Sequence, residues 1–138
     1  MGAWGEGAFD NDDGADWGGD LAESGSVETV REALAAAASL AADDYLEAPE
    51  GAEALAAAEV VAAAAGRPTK SDAYSEAPLA WAARYPAVGG QEYVTLALAA
   101  IDRVRGPESE LPALWAEAEG KDSSWARAVE QVRARLTA

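Results

Sequence analysis

Apolar residues return at helical spacing along most of this chain. Val30, Leu34, Ala37, Ala41 and Tyr45 fall three or four positions apart, the period of one helix face. They predict an amphipathic helix over about 27–46, N-capped by Ser26, with Glu28 and Glu32 well placed for the helix dipole. Pro49 opens the next helix, where its missing N–H costs nothing. That helix runs through an alanine tract to Ala65 and is stopped by Gly66 and Pro68. Beyond a loop over 67–77, Pro78 to Tyr85 reads as a short helix carrying Leu79 and Trp81, ended before Pro86. Gly89-Gly90 turns the chain into a helix from about Gln91 to Arg105, whose apolar face is Val94, Ala97, Leu98, Ile101 and Val104. Gly106-Pro107 stops it. A helix opening at Ser109 or Glu110 turns Leu111, Leu114, Trp115 and Ala118 inward, tolerates Pro112 in its first turn and ends at Gly120. The last helix starts at Ser123 or Ser124, with Trp125, Val129, Val132 and Leu136 as its buried seam and Arg127, Glu130, Arg133 and Arg135 solvated. No sustained alternation predicts a strand. The expected fold is all-α: a single domain over 1–138, a compact bundle of six to seven helices with an irregular Gly/Trp-rich N-terminal segment packed on it.

That N-terminal segment differs from the rest. Its first twenty-one residues contain six glycines, five aspartates, Trp4, Trp17 and the only phenylalanine, Phe9. Glycine lets a backbone pass close to other elements, and large rings supply the area that holds it there. Trp4, Phe9 and Trp17 are the expected structural anchors. A first helix over about Asp12–Ala22 puts Trp17 and Leu21 on one face, with Asp10, Asn11 and Asp12 as candidate caps and Ser24-Gly25 as its end. Gly14, Gly18 and Gly19 weaken it, each by about 1 kcal/mol relative to alanine. The opening M-G-A-W-G-x-G-x-F-D-N-D-x-x-x-D-W resembles that of a family of small bacterial proteins catalogued as a domain of unknown function. The runs Ala56–Ala63 and Ser109–Trp115 are similar to two further signatures of that family. Together they span nearly the whole chain, and the departures at Gly14, Gly18 and Gly19 imply a less regular first helix here. The resemblance implies no activity.

Charge changes the picture next. The net charge of −15 is concentrated in one half: residues 1–60 hold fifteen Asp and Glu against Arg31 alone, whereas residues 61–138 hold ten acids and nine bases. Such a surface repels phosphate backbones, so no nucleic acid is expected, and it suits a basic protein partner or divalent cations. It also keeps an alanine-rich protein soluble. There is no cysteine and no histidine, which removes disulfides, thiolate chemistry and the commonest metal ligand and general base. No apolar run is long enough to span a membrane, and no secretory signal is seen. Met1-Gly2 would suit N-acylation, but Glu6 stands where that signal needs Ser or Thr. The alanine and arginine bias points to a high-GC bacterial source, and a cytoplasmic location is expected.

Candidate chemistry is sparse. Asp10-Asn11-Asp12-Asp13-Gly14 fails the calcium-loop pattern, because Gly14 occupies the fifth ligand position and Leu21 the twelfth. A looser divalent-metal site from Asp10, Asp12, Asp16 and Glu59 is the alternative reading. Glu59, set among alanines and valines, must be exposed, paired or hydrogen-bonded. The favoured expectation is that it accepts hydrogen bonds from the lead segment, including the Trp4 indole, and so fixes that segment. No nucleophile elbow, P-loop or dinucleotide fingerprint is present, and no cofactor and no enzyme activity are expected. The favoured function is a protein–protein contact module, immunity-type or regulatory, using Asp10, Asp12 and Asp13 as its interaction face.

Overall fold

The computed structural model describes residues 3–120 and 123–138. Met1 and Gly2, the start of the opening motif and of the rejected acylation signal, lie outside the described residues. Seven α-helices and one 3-10 turn follow in order: α1 Asp12–Ser24, α2 Val27–Ala38, α3 Ala48–Ala64, α4 Glu76–Arg84, the turn Pro86–Gly89, α5 Gln91–Val104, α6 Glu110–Glu119 and α7 Ser124–Thr137. Among the described residues there are only two isolated bridges and no strand.

Helix α3 organises the bundle. From Gly51 to Val60 and on to Ala62, every residue except Glu53 is buried, so this helix presents no face to solvent. A helix apolar all round is one enclosed by others. Its alanines leave room for backbones to approach. Helices α2 and α5 pack on one side as a mutually touching pair, α1 and α4 form a second pair, and α6 and α7 a third. The large side chains therefore come from the surrounding elements: Leu21, Val30, Leu34, Trp81, Val88, Ile101 and Val104 are fully or almost fully buried. No helix of the described residues is long and apolar enough to cross a membrane.

Helix α2 ends at Ala38, short of the expected Leu46. Tyr45, expected on its buried face, is 53% exposed instead. The cause is a joint made from the other end of the chain. Arg103 on α5 donates to the carbonyls of Ala41 and Asp44 and also to those of Pro107 and Glu108. Beside it, the Leu46 N–H donates to the Glu108 carbonyl at 2.9 Å, and the Glu110 N–H returns to the Leu46 carbonyl at 2.9 Å. Glu110 then reaches across to accept from the Ala48 N–H at 2.7 Å, capping α3 from a distant helix. These contacts reward an extended chain over 41–47 more than continued helix would.

Helix α1 is regular despite its glycines. Gly14 and Gly18 are buried. A Cβ at Gly14 would lie 2.0 Å from the Ala8 carbonyl oxygen, and one at Gly18 about 3.0 Å from the Phe9 ring and 3.1 Å from Pro78. The two glycines are where the lead segment and α4 press on the helix. Asn11 stabilises its start, accepting from the Gly14 N–H at 2.7 Å. Gly19 faces open space.

The same substitution at two positions of one helix is therefore expected to act in opposite directions. Gly19→Ala should raise the unfolding free energy by about 0.5–1 kcal/mol through helix propensity. Gly14→Ala should lower it by about 1–3 kcal/mol through overpacking against backbone. Urea unfolding of both variants checks the pair; equal signs would refute the packing account.

Candidate functional site

The lead segment is a short loop closed on itself. Ala3 pairs with Asn11 in an antiparallel bridge, and the Trp4 N–H donates to the Asp10 carbonyl at 2.9 Å. Inside the loop the Gly7 N–H donates to the Asp10 carboxylate at 3.1 Å. A Cβ at Gly5 or Gly7 would come within 2.8 or 2.7 Å of that carboxylate, so a side chain at either position would displace the Asp10 carboxylate. Asn11 donates back to the Ala8 carbonyl at 3.2 Å. Phe9 is buried against Gly18, and Trp17 is half-buried against the core. Trp4 is 49% exposed and lies against Tyr74, ring centroids 4.8 Å apart.

Between this loop and the bundle is a cavity of about 280 Å³. Ala3, Gly5, Gly7 and Ala8 form one wall. Ala48, Ala52 and Leu55 of α3 form the floor, and Leu111, Leu114, Trp115, Trp125, Val129 and Val132 close it from α6 and α7. The indoles of Trp115 and Trp125 are nearly parallel, 9° apart, with centroids 6.5 Å apart. Three carboxylates border the space: Glu6 on the lead loop, Asp13 on α1 and Glu59 on α3.

Glu59 is 6% exposed, and its partner is not the one expected. Both carboxylate oxygens accept from Arg135, at 2.8 and 2.9 Å, in a two-pronged pair between α3 and the last turn of α7. Arg135 also donates to the Arg67 carbonyl, and Arg67 donates to the Arg135 carbonyl. The expectation that Glu59 holds the Trp4 indole is thus corrected, as is that of a merely solvated Arg135. A planar guanidinium matches both oxygens of a carboxylate, which an indole N–H cannot. Glu59 and the lead segment instead face each other across the cavity.

The remaining acids stand apart. Asp10 is taken up by the lead loop, whereas Asp12, Asp13 and Asp16 are exposed on α1. Among the described residues no three of these side chains, nor of any Asp, Glu, His or Cys, are grouped to hold a metal ion. The carboxylate-cluster metal alternative finds no support. Glu53, next to Ala52 of the cavity floor, is pushed above the usual carboxylate range, first by burial and then by the Glu50 and Asp13 carboxylates. Glu53, Glu50 and Asp13 thus repel one another where α1 meets α3.

The regular bundle, the looped Gly-Trp opening and the α6 start now stand together with the sequence signatures. The family described as domain of unknown function DUF4259 matches residues 2–128. The chain belongs to DUF4259. No curated protein and no solved structure is detectably similar to it. In this DUF4259 chain, Glu6, Trp115, Trp125 and Arg135 were not singled out from sequence as site residues. Only the shared cavity and the Glu59 pair bring them together.

Glu59→Gln is expected to lower the unfolding free energy by about 2–4 kcal/mol. That is below the cost of breaking a fully buried pair, because Arg135 keeps 25% of its side chain in water. Adding Arg135→Gln should then cost little more. A double-mutant cycle by chemical denaturation reads the coupling, and strictly additive losses would exclude it.

Glu53 supplies a pH test. Its folded-state pKa is raised, so the folded protein takes up protons more readily there and loses stability as pH rises through that range. Glu53→Gln should therefore be more stable than wild type at neutral pH, with the advantage shrinking as pH falls below the raised value. Melting temperatures across the acid range, which should converge, check it.

Proposed function

We propose that this protein is a non-catalytic binding module of the bacterial cytoplasm, acting by protein–protein contact in a regulatory or immunity-type role. Its acidic N-terminal half is the contact surface, and the partner is basic. The observation that carries this reading is the outer face of α1. Asp12, Asp16, Asp20 and Glu23 are exposed there at helical spacing, while Gly14, Gly18 and Leu21 turn inward. Helix stability does not account for them: acids in the last turns oppose the helix dipole, like charges a turn apart repel, and no base stands in the last turn of α1. Arg31, the one base of this half, is bound by Glu28 and Glu92 and lies over Tyr93, so it does not neutralise the face. The charge repels nucleic acid and would steer a basic protein.

The test is affinity capture from a lysate of the source organism, comparing wild type with a variant carrying Asp12→Asn, Asp16→Asn, Asp20→Asn and Glu23→Gln. These side chains are outward, so the variant should keep its helical circular dichroism. A basic protein retained by wild type, lost by the variant and released by moderate salt is the expected result. Identical capture by both proteins would refute the acidic face.

A further inference from the structure

We infer that the cavity beneath the lead segment receives an apolar or aromatic side chain from a short segment of a protein partner, with a basic residue next to it bound at the cavity mouth. This rests on the contact-module reading and deepens it by naming the chemistry recognised. The cavity interior is apolar, formed by Leu55, Leu114, Val129 and the two stacked indoles. Its volume of about 280 Å³ falls just below the ~300–1,000 Å³ typical of ligand pockets, which suits one anchoring side chain. Among the described residues no lysine or arginine lines it.

The three bordering carboxylates are not equivalent. Glu59 is already satisfied by Arg135, so its charge is spent within the fold. Glu6 and Asp13 form no ion pair among the described residues, and both are exposed. Asp13 also raises the pKa of Glu53, a repulsion that a cation at the mouth would relieve. The mouth adjoins the acidic face of α1, because Asp13 at its border follows Asp12 of that face in the first turn of the helix. Apolar interior, indole walls and unpaired acids at the rim are the anatomy of an interface pocket for an apolar anchor flanked by a positive charge.

The test uses capped dipeptides on the full chain, read by indole N–H shifts of Trp115 and Trp125 in nitrogen-15 spectra. N-acetyl-Phe-Lys-amide is expected to shift both indoles. Its uncharged norleucine counterpart should bind about fivefold more weakly, the worth of a rim ion pair. N-acetyl-Ala-Lys-amide should leave the indoles unmoved. In the variant with Glu6→Gln and Asp13→Asn, the lysine and norleucine peptides should bind equally. Ala128→Trp, which fills the cavity, should abolish both. Absence of indole shifts at millimolar peptide, equal binding of the lysine and norleucine peptides to wild type, or equal shifts from the alanine peptide would overturn the inference. Binding of 3-phenylpropylamine as tight as that of the peptide would make this a small-amine site and overturn the protein-segment assignment. Failure here with successful charge-dependent capture leaves the contact face standing and removes only the cavity. The reverse pattern removes the acidic face alone.

Discussion

Close approach to one enclosed helix is the constraint on which this structure depends. Helix α3 is surrounded by α1, α2, α4, α5, α6 and α7, and only small side chains on it permit that many neighbours. Alanine buries little area, so the hydrophobic stabilisation is carried by leucine, valine, isoleucine and tryptophan projecting from the outer elements. Among the described residues the arrangement leaves a single charged group deep in the wall of the bundle, Glu59, and a charge there must be matched. Arg135 matches it with both arms of its guanidinium, and the reciprocal bonds with Arg67 fasten the end of α7 to the turn after α3. A lysine could supply the charge but not the two parallel bonds.

The same small residues explain the cavity. On the side of α3 that carries Ala48 and Ala52, little protrudes to meet the α6–α7 pair. The lead segment passes over this side but, bent around Asp10 by Gly5 and Gly7, brings backbone rather than bulk. A space is left that the protein's own side chains do not fill, walled by tryptophans that elsewhere would be packed core. Elsewhere the helices interlock: Asp102 of α5 bonds Arg133 of α7, which holds its carboxyl below the usual aspartate range, with Arg105 close by. Such exposed pairs add little stability.

Most of the fold was legible because its helices are punctuated locally. Ser26, Pro49, Gly66, Gly120 and Ser123 mark their ends through backbone chemistry that neighbouring residues determine, and the observed helices begin or stop within a residue or two of those marks. The end of α2 was not legible, since alanines continue past Ala38 and the reason for stopping there is an arginine on α5. Glu59 stood out in the sequence as a carboxylate needing satisfaction, but its partner lies 76 residues away on a face that reads as solvated. Gly14 and Gly18 looked like weak points of a helix and are sites of close packing, a distinction that depends on what the lead segment does in space. The cavity has no local signal at all. Its walls come from four separate stretches, the lead segment and three helices that read as ordinary core.

The tight jacket around α3 also bears on how this family's divergence is to be weighed. Any side chain larger than alanine at Ala56, Ala57, Ala58 or Ala62 would meet neighbouring elements on whichever side it emerged, since all four are fully buried. Selection against clashes alone would hold that tract constant over long evolutionary times, whatever the protein binds. Invariance there reports geometry. Glu6 and Asp13 are under no such steric obligation, so persistence of acid at those two exposed positions across otherwise divergent members would carry information about binding that invariance of the alanine tract would not.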